Sequence, residues 1–248
     1  MKKSKIAVLV AMVVVLAFSL AACGGSDKSS SDKTVYKVGT EPTFPPFDTT
    51  DEDQNIVGLD MDLIKAIGED QGFDVEFENL SFDGLIPALK AGNIDIVAAG
   101  MNKDDEDRQK EVDFSDSYYE SKLFVAVTED NTTIKSVEDL TPDMKVAAQT
   151  GTTGASKVKE LKDAGKIKEA VILDGLDTCM MKLINGDVSA VINDKPVTEA
   201  YIKKQPDKIK MVGEALNAEN YGFAVQKGNA ELVEKINNGL KNIKENGT

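Results

Sequence analysis

The chain has 248 residues, 41% of them hydrophobic and 29% charged, enough for one large domain or two small ones. Forty-three acidic against 29 basic residues leave a net charge of −14, the wrong sign for a surface that tracks phosphates, so nucleic acid is excluded as a partner class. With no histidine and only two cysteines, far apart, Ser-His-Asp and Cys-His pairs, imidazole metal sites and Cys-rich zinc sites are excluded too, and no cofactor is implied.

Residues 1–22 read as an export leader rather than part of the fold. Lys2, Lys3 and Lys5 precede the unbroken apolar run Ile6–Phe18. That run is short of the roughly 20 residues that cross a bilayer, but suits a signal peptide. It ends in Leu20-Ala21-Ala22-Cys23, followed by Gly24-Gly25-Ser26. This resembles a bacterial lipobox, which implies that Cys23 becomes a lipidated N-terminus. Residues 23–33 are then the lipidated cysteine and a flexible Gly/Ser tether. The expectation is an extracytoplasmic protein, periplasmic in a diderm source, held to the cell membrane by its lipid alone. Cys179 falls in an apolar helical stretch and is expected simply to pack.

From Val35 onward, short β-rich runs alternate with helical patterns. Strands are predicted at Val35–Thr40, Phe73–Glu78, Ile94–Ala98, Leu123–Val127, Lys145–Gln149, Ala170–Leu173, Val188–Ile192, Ile209–Val212 and Tyr221–Val225. Leu59, Leu63, Ile64 and Ile67 repeat at helical spacing, as do Val158 and Leu161. Ser81 is placed to cap a helix over Phe82–Ala91, and Gly92 to close it. Such alternation predicts α/β architecture with mostly parallel sheets. The phrase Leu89-x-x-Gly92-x-Ile94-x-x-Val97 returns as Leu183-x-x-Gly186-x-Val188-x-x-Val191, which fits two similar lobes better than one sheet.

Ligands of open α/β sheets bind beyond the carboxyl ends of the strands, so the residues that follow each run are the candidates. Glu41, Phe44 and Phe47 follow the first, Phe82 and Asp83 the second, and Gly100, Met101 and Asn102 the third. In the second half, Thr150-Gly151-Thr152-Thr153-Gly154 follows Gln149, and Asn193-Asp194 follows Ile192. Arg108 is the only arginine in a chain whose other basic residues are all lysine. Its planar fork meets a carboxylate or phosphate bidentately, which lysine does not; taken alone, it reads equally well as a solvated surface charge. The stretch Asp48-Thr49-Thr50-Asp51-Glu52-Asp53 lacks the Asp-Gly spacing of a calcium loop and is expected to be a solvated turn.

The phrases "GTEPTFPPFD", "VGLDMDLIKAI", "FDGLIPALKAGNIDIVAAGM", "VDFSDSYY", "AAQTGTTG" and "YGFAVQKG" occur in this order from Thr34 towards the C-terminus. Together they resemble the polar amino-acid binding proteins of bacterial ABC importers, solute-binding protein family 3. The resemblance implies a periplasmic-binding-protein-like fold of two α/β lobes closing on one ligand. Residues 34–124 plus 221–248 would form the first lobe and residues 125–220 the second. Two crossing strands near Leu123–Thr128 and Glu219–Val225 would join them. It implies capture without chemistry: a monomer takes up a free L-amino acid and delivers it to ABC permease subunits.

By the same resemblance Arg108, Gly151, Thr152 and Thr153 hold the ligand α-carboxylate, the last three at a helix N-terminus that favours an anion. Asp194, the Gly100 carbonyl and the Asn102 side chain take the α-ammonium. Phe44 and Phe82 flank the side chain, Phe47 is core, and Glu41 faces the side chain with Gln149 nearby. A carboxylate in a closed cleft calls for a cation or several donors, so arginine or lysine ranks first, glutamine second, and acidic or branched aliphatic ligands last. The segment from Gly100 to Arg108 is one residue longer than the family's usual phrase. The chain ends at "IKENGT", before the short aromatic-containing helix that such proteins usually add. Two other classes share the pattern. A cyclohexadienyl dehydratase-like lyase acts on an acid that lacks an ammonium, so a complete zwitterion site argues against it. A ligand-sensing module would need a separate receptor.

Overall fold

The computed structural model describes residues 33–247. The leader, Cys23 and all but the last residue of the tether lie outside the described residues. The strands are β1 (Thr34–Thr40), β2 (Thr49–Thr50), β3 (Ile56–Val57), β4 (Phe73–Asn79), β5 (Ile96–Val97), β6 (Val112–Phe114), β7 (Tyr119–Ser121), β8 (Leu123–Thr128), β9 (Lys145–Gln149), β10 (Glu169–Leu173), β11 (Ala190–Asp194), β12 (Ile209–Val212), β13 (Glu219–Tyr221) and β14 (Ala224–Gln226). The α-helices are α1 (Leu59–Gln71), α2 (Phe82–Lys90), α3 (Glu106–Glu111), α4 (Thr153–Asp163), α5 (Leu176–Ile184), α6 (Lys195–Lys204) and α7 (Ala230–Asn246). None is long and apolar enough to cross a membrane.

Two mixed sheets share one plan. The first runs β4-β1-β5-β14-β6, the second β10-β9-β11-β8-β12. In each, the first three strands are parallel and the last two run against their neighbours. The strands of the repeated sequence phrase, β5 and β11, both stand third, so the repeat marks equivalent places in two α/β lobes. Alternate side chains along a strand point to opposite faces, and both faces are covered. In the first lobe Val38, Ile96 and Val225 pack with α1 and α7, while Val97 and Ala224 pack with α2. In the second, Ala147 and Val191 pack with α5 and α6, and Val146, Ala148 and Ile192 with α4. Each large apolar side chain so buried contributes about 1.5–3 kcal/mol. Cys179 is fully buried in this packing, and burial pushes its thiol up to about 12, which leaves it an inert core residue.

One crossing strand lies earlier than expected, while the other begins at Glu219 as expected. β8 pairs with β11 and β12 along its length, with Leu123 opposite Asp194; it therefore belongs to the second sheet, and Leu123 and Phe124 go with it. The pair between the sheets is β7 with β13, Ser121 opposite Glu219 and Tyr119 opposite Tyr221. The predicted strand Tyr221–Val225 is two pieces, β13 in that crossing and β14 in the first sheet. β6 and β7 have three residues each, too few for a period-2 pattern to register. Ser81 does occupy the N-cap of α2, but its side chain makes no capping bond. The Asp48–Asp53 stretch runs into the exposed β2–β3 turn, where Asp51 accepts the Asp53 and Asn55 N–H groups at 2.9 and 2.8 Å.

Candidate functional site

The loops beyond the strand ends of the two sheets meet directly. Gln149 Nε2 donates to Glu41 Oε2 at 3.0 Å, Arg108 Nη2 to the Gly151 carbonyl at 2.9 Å, and the Tyr201 hydroxyl to the Thr43 carbonyl at 3.2 Å. Gly151 has φ +77°, and a Cβ there would stand 3.0 Å from Asp83 Cβ. A side chain at this position would be strained and would prop the lobes apart. Between these contacts lies a narrow cavity of about 10 Å³, about enough for a single water. Phe44, Phe82, Gly100, Asn102, Arg108, Gln149, Thr152, Thr153, Asp194 and Glu219 line it.

Arg108 is placed by the short helix α3. The Asp105 side chain caps that helix, accepting the Asp107 and Arg108 N–H groups at 3.0 Å each. This carries the guanidinium inward to 8% exposure, with Cζ 5.4 Å from the Phe82 ring centroid. Nη1 donates to the Asn102 carbonyl at 3.1 Å. Burial lowers the proton affinity of the group, and Asp105, Glu219 and Asp194 oppose the shift. Phe82 thus braces the arginine. Phe44 is buried and lies over Gly100, whose missing Cβ, at φ +53°, would fall 2.6 Å from that ring. Phe47 is core, packed edge-on to Tyr119 and Tyr221 at 4.9 and 5.1 Å between ring centroids.

Hydrogen bonds already made decide what each polar group has left to offer. Thr152 Oγ1 caps α4, accepting from the Ala155 N–H at 3.1 Å and donating to the Gln149 carbonyl at 2.7 Å. The hydroxyl expected there for a ligand is therefore spent, and that of Thr153 makes no described bond. Asn102 Oδ1 accepts from the Asp104 and Asn220 N–H groups at 3.1 and 3.3 Å. Its NH₂ is the group left over, opposite in polarity to the acceptor expected, because two backbone donors hold the amide one way round. Gln149 is held in the reverse sense: Nε2 donates to Glu41 and to the Asp174 carbonyl, both at 3.0 Å, leaving Oε1 without a partner. Glu41 stands behind Gln149 instead of in the lining. Burial pushes its carboxyl up, while the bonds from Gln149 and Thr43 hold it back.

Two carboxyl groups lie beneath the loops. Asp60 in α1 is fully buried; its Oδ2 accepts from the Gly100 N–H at 2.7 Å and the Tyr118 hydroxyl at 2.8 Å, while Oδ1 has no partner. Burial pushes Asp60 up to about 7. Asp48 beside it is raised by burial and by Asp60, and accepts from Thr40 Oγ1 at 2.8 Å. Asp60 therefore fixes the Gly100 turn from below. Neither Asp60 nor Glu219 stood out in the sequence, since neither follows a predicted strand or has a distinctive neighbour. Among the described residues no acidic, cysteine or histidine cluster suits a metal ion.

Residues 36–248 match the model of the bacterial extracellular solute-binding proteins, family 3. A relative from Neisseria gonorrhoeae called a probable histidine-binding protein is 33% identical over 93% of this chain and 88% of its own length. A putative ABC transporter arginine-binding protein 2 from Escherichia coli K12 is 34% identical over 100% and 96%. Among solved structures, an ancestral arginine-binding protein bound to arginine superposes with a TM-score of 0.83 at 44% identity, covering 87% of this chain and 95% of that one.

Proposed function

The chain belongs to the bacterial extracellular solute-binding proteins, family 3, and from that premise we propose that it captures a free L-amino acid, arginine or lysine before glutamine, and hands it to the membrane subunits of an ABC importer. One observation carries this reading: buried groups of opposite charge line one narrow cavity, the Arg108 guanidinium and the Asp194 and Glu219 carboxyls. An α-amino acid presents the complementary pair, a carboxylate and an ammonium on one carbon. Excluding water from both ends strengthens each attraction several-fold over its value in solution. The N-terminus of α4 at Thr153 adds backbone donors and a partial positive charge for the carboxylate. The Gly100 carbonyl, which accepts no described bond, adds an acceptor for the ammonium.

The side-chain preference rests on Gln149. Glu41 and the Asp174 carbonyl hold its NH₂, so Oε1 remains for the ligand and favours a guanidinium, an ammonium or an amide NH₂. Carboxyls outnumber cations in the lining, two to Arg108 alone, with Glu41 just behind. A second positive charge is therefore preferred to a neutral amide, and a second negative one is rejected. The Phe44 ring is placed to flank an aliphatic stem or a guanidinium. A dehydratase on the same fold would act on an acid without an ammonium, which gives these two carboxyls no cation to meet, so the pair favours transport.

A thermal-shift panel of the ligand-stripped protein against the common L-amino acids tests this. A ligand at about 100 times its Kd adds about 2.7 kcal/mol, so arginine and lysine are expected to raise the midpoint most, glutamine less and glutamate not at all. A largest shift with glutamate would overturn the proposal. Tethering through Cys23 belongs to the same reading. Radiolabelled palmitate is expected to enter the protein expressed with its own leader and to be absent from Cys23→Ala; label persisting in that variant refutes the anchor.

A further inference from the structure

Glu219 brings into the cavity a carboxyl that amino-acid capture by Arg108 and Asp194 does not by itself require. It reaches the site from β13, in the crossing between the sheets, whereas Asp194 comes from the end of β11. Their exposures are 2% and 6%. Both line the same cavity, and Ser121, whose hydroxyl bonds Asp194, stands opposite Glu219 in the crossing pair. Two carboxylates buried side by side repel each other, and a proton on one of them would let it donate to the other.

The surroundings supply few other donors and no spare cation. Ser121 Oγ donates to Asp194 Oδ1 at 3.0 Å, and Asn217 Nδ2 to Glu219 Oε1 at 2.8 Å. The Tyr221 hydroxyl donates to Ser121 Oγ at 3.0 Å. Arg108 is the cation facing the pair, but its described bonds go to the Asn102 and Gly151 carbonyls, and Asp105 stands on its far side as the α3 cap. Lys195, next to Asp194, turns to Glu199 at 3.6 Å. Burial first, then the charge of Glu219, holds Asp194 well above the usual carboxylate range.

We propose that Asp194 and Glu219 form one ammonium-binding pair that shares a single proton while the cleft is empty and releases it to solvent when a ligand ammonium takes its place. The inference rests on the amino-acid reading, since the ligand must bring that ammonium. The balance is one for one. The pair goes from a net charge of −1 to −2 as the entering ammonium adds +1, so the cavity never holds two uncompensated carboxylates, which would be the costly state. Glu219 thereby makes capture pH-linked: while the pair keeps its proton, affinity rises up to tenfold for each unit of pH, because each bound ligand expels one proton.

Isothermal titration of the ligand-stripped protein with L-arginine and with L-glutamine, at pH 7 in phosphate and in Tris, reads the protons released from the difference in heat between the buffers. Close to one proton per ligand is expected for the parent. Glu219→Gln keeps the shape and an oxygen for Asn217, and it is expected to release close to none and to bind with an affinity flat from pH 6 to 8. Asp194→Asn serves as the second variant, with the same loss of proton release expected wherever binding is measurable. Binding by the parent with no proton released, or equal release by parent and Glu219→Gln, overturns the shared proton and leaves the amino-acid reading standing. A parent that binds neither amino acid overturns both.

Discussion

Replacing Arg108 with alanine is expected to cost the ligand about 2–5 kcal/mol of binding free energy, the loss found when one partner of a buried charge pair is removed. The guanidinium is 8% exposed, it is the only one in the chain, and two carbonyls and the Phe82 face already orient it. Lysine is not expected to rescue it. An ammonium on a flexible stem cannot bond the Asn102 and Gly151 carbonyls and still offer a planar fork to a carboxylate. The variant also loses a bond that ties the two lobes together, so a ligand without the carboxylate separates the two effects. Agmatine, which is arginine without that group, is expected to bind parent and Arg108→Ala within about 1 kcal/mol of each other, the size of an ordinary hydrogen bond. Calorimetry decides: unchanged arginine affinity in Arg108→Ala would show that the carboxylate is held elsewhere.

The second large effect is on stability, and it follows from Asp60. Its carboxyl sits at about 7 in the folded protein against about 3.9 in an unfolded chain. The folded state therefore binds the extra proton between those values, and stability falls as pH rises from about 4 to about 7, by about 1.4 kcal/mol per unit. Above pH 7 the full cost, about 4 kcal/mol, is present. Asp60→Asn removes the titration while its Oδ1 still accepts the Gly100 N–H and its NH₂ can meet the Tyr118 oxygen. Relative to the parent, the variant is expected to gain about 3 kcal/mol between pH 4.5 and pH 7.5, read from urea unfolding at each pH. A difference between the two proteins that does not change with pH would refute the buried proton.

Much of the site was legible because it obeys rules of local pattern. The repeated Leu-x-x-Gly-x-Ile/Val phrase carries a helix end, a turn and a buried strand within nine residues, so its recurrence could mark the third strand of both sheets before either was seen. Loops beyond strand ends could be named for the same reason, and of the eleven binding residues that the family resemblance then implied, nine line the cavity. The lone Arg108 stood out by composition alone. All of this depends on neighbours close in sequence.

Contacts between distant residues settled the rest. Glu41 and Gln149 are 108 positions apart, and only their meeting spends the Gln149 NH₂ and leaves Oε1 as the group that side chain can still offer. The Asn220 N–H, 118 positions from Asn102, joins Asp104 in spending that side chain's oxygen, so a residue expected to accept is left to donate. Ser121 and Tyr221, 100 positions apart, are joined in the crossing pair, which is where Glu219 gains its place beside Asp194. Residue type thus determined in advance which groups were available for binding. What each still has to give could be decided only by tertiary structure, because a lone pair or proton already used by a distant partner is no longer free for the ligand.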